Sequence, residues 1–100
     1  IDNIFSSKNI DYYIIGPYDL SGSMGIVGQF DHPDYSSNLT KVQKSAIDHG
    51  VKSGIHVVSP NADELQDAVN KNYNFIAYST DALLIYDKCK KDLDKINNCK

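Results

Sequence analysis

One carboxylate, Asp19, stands where enzymes built from strand–helix units often place reactive groups. It follows an apolar run, residues 12–15, and a break at Gly16-Pro17. The apolar run predicts a buried strand, so Asp19 would lie just beyond its carboxyl end. Carboxylates at that place hold metal ions or take protons. The structural alternative is that Asp19 caps a short turn beginning at Leu20, as Asp commonly does.

The glycine-rich segment at residues 22–28 is the next candidate for chemistry. It lacks the Gly-Lys-Ser/Thr ending of a phosphate-binding P-loop and the GxGxxG spacing of dinucleotide sites. We therefore interpret it as an active-site loop that extends to about Pro33, with no nucleotide.

The remaining potential metal ligands are dispersed. His32, His49 and His56 form no HxH or HxxxH pair, and His56 falls inside a predicted strand as a core or barrel-wall residue. Cys89 and Cys99 are ten residues apart with no CxxC motif, which indicates two ordinary reduced thiols rather than a zinc site.

Composition bounds the class of protein. The chain has 100 residues, which makes one small domain or a piece of a larger one, and it begins at Ile1, which favours a fragment. Its 41% hydrophobic and 23% charged residues are typical of globular proteins. The net charge of −3 argues against a nucleic-acid surface. The sequence shows neither a signal peptide nor an 18-residue apolar run, so we expect a cytoplasmic protein without membrane contact.

Three strand–helix units are predicted to position these residues. Strands are expected at residues 12–15, 55–58 and 75–78, and their nearly continuous apolar character is typical of parallel strands covered on both faces. A helix with apolar residues at helical spacing closes near Gly50, a second begins at Asn61 as N-cap with Glu64 three residues later, and a third opens at Thr80-Asp81. The class is therefore α/β.

Several motifs together resemble a known family. The run Gly16-Pro17-Tyr18-Asp19-Leu20-Ser21 is similar to the signature of the HpcH/HpaI aldolases, metal-dependent enzymes that cleave 4-hydroxy-2-oxo acids to pyruvate and an aldehyde. Weaker matches follow in the family's order: His32-Pro33-Asp34, the Gly54 strand with Ser59-Pro60, and Ser79-Thr80-Asp81. The resemblance implies that residues 1–100 are the sixth to eighth βα units of a TIM (β/α)8 barrel, the C-terminal portion of an aldolase domain whose N-terminal portion is absent.

The resemblance also implies residue roles. Asp19 would bind the divalent metal (Mg²⁺ or Mn²⁺, with Co²⁺ an alternative), the backbone amides of Tyr18 and Asp19 would hold the substrate carboxylate, and Leu84 would lie near the aldehyde pocket. The family's glutamate ligand, arginine and His–Asp pair come from earlier strands, so no catalytic residue is assigned within this chain and the isolated chain is expected to be inactive. The last helix would pack against another subunit of a homo-oligomer.

Other functions stay open at this point. A truncated or degenerate relative could keep the scaffold without activity, and all ten cations being lysine leaves no arginine to replace the missing one. Acyl-CoA lyases of the citrate-lyase type are close neighbours, and 2-dehydro-3-deoxy sugar acids are related aldolase substrates. A flavodoxin-like signalling domain would also fit three βα units, but this sequence lacks the paired acids that such a domain has at its first strand.

Overall fold

Three parallel strands form a sheet in which each strand pairs with the next one along the chain. The computed structural model describes residues 1–99. β1 (Tyr12–Ile15) pairs with β2 (Lys52–Val57), and β2 pairs with β3 (Phe75–Tyr78). The helices in this part of the chain are α1 (Asp2–Phe5), α2 (Pro17–Ser23), α3 (Pro33–Asp48), α4 (Ala62–Asn70) and α5 (Asp81–Asn98). The predicted α/β class and parallel order are confirmed, although β2 begins at Lys52 rather than at residue 55.

Side-chain caps start the two C-terminal helices where the sequence predicts. The Asn61 side-chain oxygen accepts hydrogen bonds from the amides of Asp63 (2.8 Å) and Glu64 (3.2 Å) at the start of α4. The Thr80 hydroxyl accepts from the Leu83 amide (3.3 Å) at the start of α5. Each cap satisfies amides that have no partner within the helix, so these helix starts are fixed by local sequence.

The segment between β1 and α3 differs from the long loop that the sequence predicts. It contains α2, which begins with Pro17 at its first position, where the missing amide hydrogen costs nothing. Gly16 is the N-cap and Asp19 lies in the first turn without a capping bond, so the prediction that Asp19 caps a turn beginning at Leu20 is wrong.

A closed turn follows α2 and accounts for the glycines of this segment. The buried Ser21 hydroxyl donates to the Tyr18 carbonyl (3.2 Å) and accepts from the Gly28 amide (3.1 Å). Gly25 and Gly28 have φ values of 74° and 73°, which glycine adopts readily. The glycines therefore serve a hydrogen-bonded turn.

The core lies between one face of the sheet and the helices α1 and α3. Phe5, Ala46 and Val51 form its buried centre, and partly buried side chains pack against them. Val42, Ala46 and Tyr35 repeat at helical spacing on α3, so one stripe of that helix faces the sheet. This packing fixes the direction in which the chain leaves β1 and enters α2.

The opposite face of the sheet is exposed in the described part of the chain. The strand register places Ile14, Gly54 and Phe75 side by side, and Tyr12 shares their face two residues earlier. Tyr12 and Ile14 are 57% and 51% exposed despite their apolar character. The expected cover on both faces is therefore wrong for residues 1–99, where the helices cover only one.

Helix α5 makes the molecule elongated. The described chain measures 60 × 26 × 22 Å, and no residue of α5 is buried. Both cysteines lie at or near this helix as exposed free thiols, as predicted. Within residues 1–99, no helix combines the length and apolar character needed to cross a membrane.

Candidate functional site

Asp19 stands at the carboxyl end of β1 with its side chain folded back over Gly16. A Cβ atom at position 16 would collide with the Asp19 Oδ2 atom, so any other residue there would require the carboxylate to rotate away from this position. The Asp19 side chain is exposed and makes neither a hydrogen bond nor an ion pair with any residue in the 1–99 range. The carboxylate is therefore available to an external ligand, and its role as a metal ligand stays a prediction.

Asp19 borders a groove of about 350 Å³ along the outer edge of β1. The lining is otherwise apolar or uncharged in its side chains and comes from α1, β1, α2 and α3: Ile1, Ile4, Phe5, Tyr13, Ile14, Ile15, Gly16, Leu20 and Val42. Exposed apolar patches usually mark contact sites. This apolar groove with one carboxylate at its edge is therefore a candidate binding surface. The groove lies on the side of β1 that no strand of the described chain pairs with.

The first turn of α2 presents amides next to the same carboxylate. The amides of Tyr18 and Asp19 precede the first intrahelical bond, which the Leu20 amide donates to the Gly16 carbonyl (3.0 Å). Amides at this position of a helix have no partner within the helix and carry partial positive charge. The geometry is compatible with the predicted role of these two amides toward an anionic group.

A second element at the same end of the sheet is a strained connection after β3. Ser79 has φ of 55°, its hydroxyl is buried, and that hydroxyl has no hydrogen-bond partner among the described residues. The His56 ring, from β2, donates through Nε2 to the Ser79 carbonyl (2.9 Å). This bond fixes the tautomer that carries a hydrogen on Nε2. The sequence predicts His56 within the sheet, but no spacing along the chain indicates its bond to Ser79.

Leu84 lies at the far edge of the same end of the sheet. It follows the N-cap Thr80 by one turn of α5 and is 43% exposed. β2 lies between β1 and β3, and adjacent strands are about 5 Å apart. The strands that precede Asp19 and Leu84 are therefore about 10 Å apart. The structure thus places the sequence-predicted site residues, Asp19, Tyr18 and Leu84, at one end of the sheet, with only the first two adjacent.

The residues present fit one ligand position of a hard cation. No cluster of three or more His, Cys, Asp or Glu side chains occurs within residues 1–99. Mg²⁺ in proteins commonly has one or two carboxylate ligands and completes its shell with water and substrate oxygens. Asp19 can supply one such oxygen.

Comparisons with known proteins agree with this description of the chain. No family model matches it. It is 30% identical over 90 residues to a hydroxypyruvate/pyruvate aldolase of Roseobacter denitrificans, covering 90% of this chain and 34% of that protein. It is 27% identical over 81 residues to a 5-keto-4-deoxy-D-glucarate aldolase of Escherichia coli O157:H7, covering 81% and 31%.

A solved structure extends the likeness to the fold. An HpcH/HpaI aldolase from Desulfitobacterium hafniense superposes with a TM-score of 0.85 at 29% identity, covering 95% of this chain and 36% of that one. The chain spans about a third of the length of the curated relatives it matches. Over the C-terminal part of these proteins, the chain resembles the HpcH/HpaI aldolase family.

Proposed function

We propose that this chain is the C-terminal portion, residues 1–100, of a divalent-metal-dependent aldolase of the HpcH/HpaI type. The activity is cleavage of 4-hydroxy-2-oxo acids, or of 2-dehydro-3-deoxy sugar acids, to pyruvate and an aldehyde. The observation that carries the proposal is the unpartnered Asp19 carboxylate at the end of β1, in a chain whose relatives are named as aldolases.

The exposed sheet face supports placing the chain in a larger barrel. In a closed (β/α)8 barrel one face of every strand turns inward and is buried against side chains of the other strands. Tyr12, Ile14 and Phe75 would then be interior residues rather than exposed apolar ones. The unpaired side of β1 would receive the preceding strand, beside the groove that Asp19 borders.

Within this proposal, the chain's own residues bind and orient. Asp19 would hold Mg²⁺, Mn²⁺ or Co²⁺, and the bound metal supplies Lewis-acid stabilisation of negative charge that develops on the substrate. The amides of Tyr18 and Asp19 would orient the substrate carboxylate. Leu84 would border the aldehyde part of the substrate and limit its size.

Helix α5 is the proposed contact with a second copy in a homo-oligomer. Leu93 and Ile96 are exposed apolar side chains on one face of that helix. Their burial against another subunit would remove apolar surface from water, which is the main source of affinity in stable homodimers. We propose a cytoplasmic enzyme that acts on small 2-oxo acids.

A non-catalytic scaffold is the second candidate, and one observation favours it for the isolated chain. The sequence contains no arginine, and residues 1–99 contain no group of three or more His, Cys, Asp or Glu side chains that could hold a metal ion. On either view the isolated chain is expected to be inactive, so the two candidates differ in what happens when the rest of a barrel is supplied.

The test is proton–deuterium exchange at the pyruvate methyl group, followed by mass spectrometry with and without Mn²⁺. It is applied to the isolated chain and to a chimera in which this chain replaces the matching C-terminal third of the Roseobacter denitrificans relative. We expect metal-dependent exchange in the chimera, reduced about 100-fold by Asp19→Asn. Asp34→Asn is the matched control, because Asp34 is also a first-turn acid of a helix that begins with proline.

The outcomes separate the candidates. A folded chimera without exchange would support the scaffold. Exchange that Asp19→Asn leaves unchanged would remove Asp19 from the metal site. A requirement for coenzyme A in the chimera's cleavage reaction would favour an acyl-CoA lyase instead.

A further inference from the structure

A second and larger cavity lies on the helix-covered side of the sheet. It has a volume of about 470 Å³ and is bounded by α3, α4 and the segment that follows α2. Cavities of this size commonly bind small molecules. Asp19 is absent from its lining, whereas Tyr18, whose amide belongs to the candidate site, lines the cavity as well. The inference uses the Tyr18 ring and not its amide, so it does not rest on the proposed function.

Aromatic rings form much of the cavity wall. The Tyr18 and Phe30 rings meet edge to face with centroids 5.0 Å apart, and Phe30 and Tyr35 are 5.4 Å apart at 49°. Tyr73 completes the aromatic lining, and Tyr35 is only 4% exposed. Rings at such angles hold one another in place, and aromatic rings in a cavity wall can attract a cation through their π faces.

Two tyrosines of this wall, Tyr35 and Tyr73, have raised pKa values. Burial raises the pKa of Tyr35 to about 12, with a smaller contribution from nearby Tyr73. Burial also raises the pKa of Tyr73. Tyr35 and Tyr73 therefore bring no phenolate charge to the wall, and the charged groups around the cavity are carboxylates and one ammonium.

Those charges are predominantly negative. Asp31, Glu64 and Asp67 line the cavity, and Lys71 is its one ammonium within the described chain. The Lys71 Nζ atom lies 2.6 Å from an Asp67 carboxylate oxygen, so this pair is internally neutral. Asp31 and Glu64 are exposed and have no ion-pair partner among residues 1–99, which leaves two negative charges.

An anionic ligand is disfavoured by the same contacts. The amino end of α4 borders the cavity and would ordinarily attract an anion. Its Asp63 and Glu64 amides already donate to the Asn61 side chain, and the Glu64 carboxylate occupies the same turn. With Lys71 also paired, the described lining offers an anion no free ammonium, and the Asp63 and Glu64 amides of this cap are already occupied.

We propose that this cavity binds a small organic cation, with its ammonium or quaternary ammonium group against the aromatic wall and Asp31 and Glu64 near its charge. Apolar substituents of the ligand would contact the Leu39 and Ala68 side chains, which also line the cavity. The chemistry that would be recognised is positive charge on an apolar body, which separates this ligand from an anionic 2-oxo acid.

The probe is choline, and its neutral control is 3,3-dimethyl-1-butanol, which has nearly the same shape without the charge. Binding to the full chain is measured at low salt by calorimetry and located by NMR shifts of the Tyr35 and Ala68 signals. We expect choline to bind at least about fivefold more tightly than the alcohol. Asp31→Asn combined with Glu64→Gln should weaken choline binding about fivefold or more and leave the alcohol unchanged.

Two further variants make the test decisive. Phe30→Leu keeps an apolar residue but removes a ring and should weaken choline by about threefold or more. Asp34→Asn removes an exposed carboxylate that is not part of the lining and should leave choline binding unaltered. Equal affinity for choline and the alcohol, shifts confined to residues outside the cavity, or no saturable binding of choline to the folded chain would each overturn the proposal.

Discussion

Replacing Gly54 by alanine should destabilise the sheet, because Phe75 occupies the space that a side chain at position 54 needs. A Cβ atom there would overlap three carbon atoms of the Phe75 ring. The ring also packs edge to face against Tyr12 at a centroid distance of 6.0 Å. Gly54→Ala therefore forces Phe75 out of a position that two neighbouring strands define.

The size of the effect follows from three contributions. Only the outer atoms of the Phe75 ring meet the new Cβ atom and this ring is 38% exposed, so the overpacking cost falls at the low end of its usual range, about 1 kcal/mol. Loss of the aromatic pair adds about 0.5 to 1.5 kcal/mol, and alanine recovers about 0.5 to 1 kcal/mol of backbone entropy relative to glycine. The expected net loss is about 0.5 to 2 kcal/mol in the free energy of unfolding, measured by urea titration with far-UV circular dichroism.

Gly22→Ala is the matched control. Gly22 lies within α2, and a Cβ atom there would meet only Val27, at 3.9 Å. This variant should be stabilised by about 0.5 to 1 kcal/mol, because alanine is a better helix former. In a Phe75→Leu background, Gly54→Ala should cost at least about 1 kcal/mol less than in the native chain. A Gly54→Ala variant as stable as the native chain would refute the reasoning, as would equal costs in both backgrounds.

Three further predictions concern local stability. Ser79→Gly should raise the free energy of unfolding by about 1 kcal/mol, because it relieves a left-handed backbone and removes a buried hydroxyl without a partner, and thermal melting would detect the gain. Asn61→Ala should cost about 1 kcal/mol by urea titration, whereas Asn61→Ser should cost less. Stability should also fall as pH rises from 10 to 12: the Tyr35 pKa is raised by folding to about 12, so the unfolded chain loses this proton first. Urea titration across this range should show a shallower decline for Tyr35→Phe, and an unchanged slope would contradict burial as the cause.

Local sequence was sufficient for the elements whose ends are chemically marked. β1 and β3 match the predicted runs because continuous apolar residues end at Gly16-Pro17 and at Ser79. α2 was missed because Pro17 and the glycines indicate a break, whereas proline at a first helical position is favourable. The start of β2 was missed because Lys52, Ser53 and Gly54 are poor strand formers that become strand by pairing with β1.

The candidate site, too, could be predicted from the sequence only in part. Asp19 was located from its position after a strand, which depends only on local order along the chain. The strained Ser79 and its bond to His56 join residues of different strands, so no spacing along the sequence indicates them. The aromatic cavity likewise joins Tyr18, Tyr35 and Tyr73 from three separate segments, and only the packing of α3 and α4 on the sheet brings them together.

The order of the strands has a consequence for how this part of the protein is made. Each strand pairs with its immediate successor, so β1 can receive β2, and β2 can receive β3, in the sequence in which a ribosome releases them. Within the described chain, each strand pairs with the strand that is synthesised next. This order limits the time that apolar strands spend unpaired. The sheet can thus grow vectorially, one βα unit at a time, and α5, with its Lys88–Asp92, Lys90–Asp94 and Asp87–Lys91 pairs, can form as a helix before anything covers it.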